Sequence, residues 1–77
     1  MYKDLLTFLA QNLVDNPDSV SVEQEERDGA VYLSLRVAES DMGAVIGRRG
    51  KIAHEIRTIL KALGNRNGKR VLVKISE

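Results

Sequence analysis

Two glycines three residues apart, Gly47 and Gly50, separate a short apolar run from a long amphipathic one, and this constrains the chain more than any other feature. Such a pair lets the backbone turn sharply between two helices without a Cβ in the way. After the turn, Ile52, Ala53, Ile56, Ile59, Leu60 and Leu63 share one arc of a helical wheel, and Lys51, His54, Glu55, Arg57, Thr58 and Lys61 the other. Before it, a short helix is expected from about Asp41 to Ile46, ended by Gly47. Glu39, Ser40 and Asp41 offer oxygen acceptors for that helix's free amides. Gly64 is the expected stop of the longer helix, followed by a polar loop from Asn65 to Lys69.

The flanking segments supply the rest of a small domain. Tyr2, Leu5, Leu6, Leu9 and Leu13 recur at helical spacing, with Phe8 and Val14 widening the buried stripe. Asp15-Asn16-Pro17 should end that helix, because proline restricts the residue before it. Ser19 to Glu26 begins with alternation, and Asp28-Gly29 suits a two-residue hairpin turn. Val31, Leu33, Leu35 and Val37 alternate with Tyr32, Ser34 and Arg36, the pattern of a strand with one buried face. Val71, Val73 and Ile75 predict a third strand, whose direction the pattern does not give. The order αββααβ makes an α+β fold, a three-stranded sheet with the helices packed on one face. At 77 residues the chain is expected to be one domain spanning 1–77.

Composition removes several function classes. The chain has no cysteine and one histidine, so neither a thiolate metal site nor a histidine cluster is available, and no cofactor is expected. A cysteine-free chain suits a reducing compartment, and the cytoplasm is the expected location. Met1-Tyr2-Lys3-Asp4 does not read as a signal peptide, and no apolar run approaches the length needed to insert in a membrane. The net charge of +1 conceals an asymmetry. Residues 1–41 carry three basic and nine acidic side chains, whereas residues 42–77 carry nine basic and two acidic ones. A polyanion is therefore expected to meet one basic face.

Met42 to Lys51 carries the candidate chemistry. The second helix starts at the glycine turn, so its free N–H groups and positive dipole end point at whatever the turn holds. Arg48, Arg49 and Lys51 add three cations within one turn. A glycine turn needs no charge between its glycines, so phosphate contact is the favoured explanation. A nucleotide-binding P-loop needs four residues between its glycines and a hydroxyl residue after the lysine, where Ile52 stands instead. A helix-hairpin-helix DNA binder remains an alternative, although its turn usually has a Gly-apolar-Gly pattern. Gly43 reads as a close-approach position for ligand backbone or the neighbouring helix, or as tolerated drift. His54 reads as a solvated residue or a nucleic-acid contact, and Arg57 with Lys61 as an extended basic track or a soluble face. Tyr32, opposite the main apolar face, could stack a base or meet a partner.

Val45-Ile46-Gly47-Arg48-Arg49-Gly50 resembles the VIGxxG signature of the KH family, whose GXXG loop clamps RNA backbone. The element order is similar to the type II KH arrangement, and the resemblance covers essentially the whole chain. It implies that Gly47 to Gly50 clamp single-stranded RNA, with Arg48 and Arg49 on phosphates and Ile46 and Ala53 flooring an apolar groove. Many KH motifs carry a large aliphatic residue where Ala53 stands. The chain also looks like the small bacterial single-KH proteins. That implies an RNA chaperone or post-transcriptional regulator, acting in cell-shape and envelope control with a larger KH-domain partner of the Jag type. A different class of function, a subunit whose main task is homodimer or heterodimer assembly, stays open beside it. No paired carboxylates accompany an activatable nucleophile, so an enzyme is not expected.

Overall fold

The computed structural model describes residues 1–77. In chain order the elements are α1 (Tyr2–Gln11), β1 (Ser21–Arg27), β2 (Ala30–Arg36), α2 (Met42–Ile46), α3 (Lys51–Arg66) and β3 (Arg70–Ser76). This is the expected αββααβ order of a type II KH fold. Asp28 and Gly29 both have positive φ (52° and 78°), the turn geometry that matches the twist of a two-residue hairpin. β1 accordingly runs antiparallel to β2, with Arg27 opposite Ala30. α2 and α3 carry the chain back across the sheet, so β3 joins the far side of β2 in parallel, Leu33 opposite Val73.

Val31, Leu33 and Leu35 turn inward and meet Leu6, Val45 and Leu60 in one buried cluster. All three main helices contribute to the layer on that face. The other face stays open, with Tyr32 and Ser34 on β2 between Glu23 and Glu25 of β1 and Leu72 and Lys74 of β3. The Arg27 guanidinium lies 4.5 Å from the Tyr32 ring centroid and occupies part of that aromatic surface. Sheet order also turns the linear charge asymmetry into a spatial one, with the glutamate-rich β1 and the basic β3 at opposite edges. Lys69 pairs with Glu26, whose carboxylate holds the ammonium above its ordinary value.

Four local expectations do not hold, each for a tertiary reason. Phe8 is 63% exposed and Ile59 47% exposed, so neither belongs to the core stripe on which the wheel placed it. Both lie on the flank of their helix turned away from the sheet. α1 ends at Gln11, a full turn before Asp15-Asn16-Pro17. The Asp15 and Asn16 amides leave the helix to donate to the Asp41 carboxylate, each at 3.0 Å, and the Asn16 side-chain amide adds a third bond at 3.0 Å. Asp41 therefore does not cap α2 with its side chain. It ties the α1–β1 connection to the start of α2 instead. Gly64, finally, lies inside α3 and is buried. A Cβ there would stand 2.4 Å from Val71 Cγ2 and 2.8 Å from the Lys69 carbonyl oxygen. The helix ends at Arg66 and the chain leaves it through left-handed Gly68 (φ 69°), where the Lys69 N–H reaches the Gly64 carbonyl and the Gly68 N–H that of Asn65.

Asp41 is only 2% exposed, and the Asp15 N–H chiefly, with the Asn16 donors, holds its carboxyl below the ordinary aspartate value against the opposing effect of desolvation. A lowered folded-state value means the stabilisation is complete above the unfolded value, near pH 4, and is lost as pH falls further. An amide in its place offers one acceptor oxygen to three donors. Asp41→Asn is expected to lower Tm by on the order of 10 °C at pH 7. In thermal scans by circular dichroism, the gap between variant and wild type should narrow below about pH 4.

Candidate nucleic-acid interface

The loop between α2 and α3 adopts a backbone that only part of its sequence can accept comfortably. Gly47 has φ 77° and ψ 174°, a region essentially reserved for glycine. A Cβ on Gly47 would also lie 2.6 Å from Ile52 Cγ1 and 2.8 Å from the Ile52 backbone nitrogen. Gly50 is left-handed (φ 74°, ψ 14°), but a Cβ there would meet nothing within 4 Å. The two glycines thus have different tasks. Gly47 lets the loop pack onto the first turn of α3, whereas Gly50 supplies a conformation on an open side. Arg49 is also left-handed (φ 58°, ψ 27°), a strain of about 1–2 kcal/mol for a residue with a Cβ.

Those constraints present the cations outward. Arg48, Arg49 and Lys51 are all exposed, and none forms an ion pair. No side chain caps the N-terminus of α3 behind them. Ile46 and Gly47 are half-buried, and Ala53 is 2% exposed beneath the first turn of α3. Gly43 is exposed, and a Cβ on it would meet nothing within 4 Å. No neighbouring helix approaches it, so that version of the close-approach expectation is corrected. His54 is exposed on the outer face of α3, where its carbonyl accepts the Thr58 hydroxyl at 2.8 Å.

Arg57 is placed differently from the other cations. Its Nε donates to the Val73 carbonyl at 3.2 Å, reaching from α3 to the outermost strand. Since Gly64 meets Val71 and Arg57 meets Val73, α3 and β3 run antiparallel along one seam. Following that seam toward the start of α3 leads past Ala53 to the glycine loop, with Ile75 on the strand side. The loop and the helix face were legible in the sequence, which gave no sign of the strand beside them; that strand meets Arg57 through a backbone carbonyl.

Residues 3–75 match the KH domain of the KhpA/KhpB family. The chain belongs to this family. It is 45% identical over 75 residues to the RNA-binding protein KhpA of Aquifex aeolicus, covering 97% of this chain and 95% of that one. It is 47% identical over 73 residues to the RNA-binding protein KhpA of Clostridium acetobutylicum, covering 95% and 97%. KhpA of Listeria monocytogenes is 39% identical over 75 residues, covering 97% and 99%. The family is one of non-enzymatic binding proteins. No helix is long and apolar enough to cross a membrane.

The two loop glycines should respond unequally to alanine. Gly50→Ala meets open space and is expected to cost about 1 kcal/mol, a modest drop in the urea midpoint. Gly47→Ala combines a forbidden backbone region with a collision on Ile52 and is expected to cost at least about 3 kcal/mol. Equal midpoints for the two variants in urea titrations would contradict this division of labour.

Proposed function

We propose that the chain is a non-catalytic module that clamps single-stranded RNA with Gly47-Arg48-Arg49-Gly50. The observation that carries this reading is the group of three unpaired cations held over an uncapped helix N-terminus. Phosphate is the ligand that uses both features at once. Gly47 and Gly50 let the RNA backbone come close, Arg48 and Arg49 face the phosphates, and Lys51 adds a third charge. Ile46 and Gly43 line the approach to the groove, with Ala53 buried beneath it as packing, while His54 and Arg57 extend it along α3. The names of the relatives support RNA as the polymer. The strain held at Arg49 also favours a working role, because glycine there would relieve it. The helix-hairpin-helix alternative loses ground because two arginines stand where its turn carries an apolar residue. We place the module in the cytoplasm as an RNA chaperone or post-transcriptional regulator serving cell shape and envelope growth.

Arg48→Asp with Arg49→Asp is expected to abolish binding of a fluorescent single-stranded RNA octamer while the circular dichroism spectrum stays native. For the wild type, three or four phosphate contacts give a slope of log affinity against log salt of about −2 to −3. A double variant with wild-type affinity would remove the clamp from this loop.

A second reading, assembly with another KH chain, is favoured by a separate observation. Leu9, Leu13, Ile52, Ile56 and Ile59 line an apolar furrow between α1 and α3 whose only charged neighbour is Glu55. Phe8 stands exposed on the same side of α1. One KH module touches few nucleotides, so a second module held nearby raises RNA affinity through effective concentration. Self-pairing across this furrow is the simplest occupancy, and the larger KH-domain partner of the Jag type is the alternative. Phe8→Ser with Ile59→Lys is expected to convert a concentration-dependent dimer into a monomer in sedimentation velocity runs. A wild type that stays monomeric at high micromolar concentration would leave the furrow to the heterologous partner.

A further inference from the structure

The bond from Arg57 to Val73 falls on β3, the edge strand that runs beside α3. In a parallel ladder, alternate residues of an edge strand turn both backbone groups toward the neighbour, and the residues between them turn both outward. The Arg70 N–H donates to the Gly29 carbonyl and the Ser76 carbonyl accepts the Val37 N–H, so the even-numbered residues of β3 serve the sheet. The outward set is therefore Val71, Val73 and Ile75. The Val71 position is packed against Gly64. The accessible edge begins at Val73, and its carbonyl is already taken by Arg57.

An unoccupied strand edge offers a base one acceptor and one donor side by side. Adenine matches that pair, since its Watson–Crick edge sets an amino donor next to the N1 acceptor. Arg57 changes what the edge presents. It covers the Val73 acceptor and substitutes the four N–H donors left on its guanidinium, in a planar fork suited to two adjacent acceptors. Cytosine presents such a pair as O2 and N3, and guanine as O6 and N7. Adenine would leave its amino donor unmatched in the groove.

We infer that Arg57 sets base preference at the position beside Val73, favouring cytosine or guanine over adenine by making the β3 edge donor-only there. This rests on the RNA-clamp reading, but the loop grips backbone without regard to base, whereas Arg57 discriminates. Arg57 makes no ion pair, so its fork is free to do so.

The test compares binding of the RNA octamers C8 and A8 at one salt concentration to the wild type, Arg57→Leu and Arg57→Lys. Melting curves confirm that each variant is folded. The wild type is expected to prefer C8 by roughly tenfold, the penalty of one unmatched donor. Arg57→Leu keeps an apolar stem but frees the Val73 carbonyl, and its preference should fall to about twofold or less. Arg57→Lys keeps the charge without the fork and should show the same loss of preference while retaining A8 affinity. Equal weakening of both octamers in Arg57→Leu, or an unchanged ratio in both variants, would overturn the inference and leave Arg57 as a general phosphate contact. The clamp fails separately, if Arg48→Asp with Arg49→Asp still binds both octamers at wild-type strength.

Discussion

The close approach of β3 to α3 at Gly64 is the contact on which the rest of the architecture depends. With Val71 pressed to within a Cβ's distance of the helix, the strand lies low against α3. The chain between them turns through a left-handed glycine at position 68. Val71 can then join the inward cluster with Leu33 and Leu60. A larger residue at position 64 would push the strand outward, widening the seam that Arg57 bridges farther along. The spacing of that seam depends on this one missing side chain.

α3 consequently has two unlike flanks. One, with Ala53, Arg57 and Gly64, faces the β3 edge and is polar at its rim. The other, with Ile52 and Ile59, faces α1 and stays apolar to the surface. A helix of 16 residues has room for both, because flanks on either side of a buried stripe do not compete for positions. The two flanks meet at Ile52, which lines the furrow and also packs against Gly47 of the loop.

The glycine loop and the buried Asp41 divide the control of the α2 segment. Asp41 anchors its start by drawing the Asp15 and Asn16 amides into a carboxylate cradle, which also shortens α1. Gly47 ends it by packing on Ile52. Between these anchors α2 has only five residues, too few to be stable alone, so its position is imposed from both ends. That arrangement holds a strained Arg49 in place, since the loop cannot relax without moving one of the anchors.

Sequence alone determined the element order, the hairpin at Asp28-Gly29, and the loop with its three cations, because each rests on local chemistry. Left-handed turns need glycine or a short polar residue, buried strand faces alternate, and a charged glycine turn announces itself. Tertiary structure decided what depends on a distant partner. Phe8 and Ile59 match the helical period of the core, yet a period does not say which edge of the stripe another element covers. Gly64 resembles a helix stop until β3 is seen against it, and Asp41 resembles a cap until the end of α1 claims its oxygens. The direction of β3, and with it the choice of which carbonyl Arg57 meets, follows from the path of the crossover rather than from any residue in the strand. Local chemistry is written residue by residue; which residues face one another across the seam beside α3 is decided only when the strand returns along the helix.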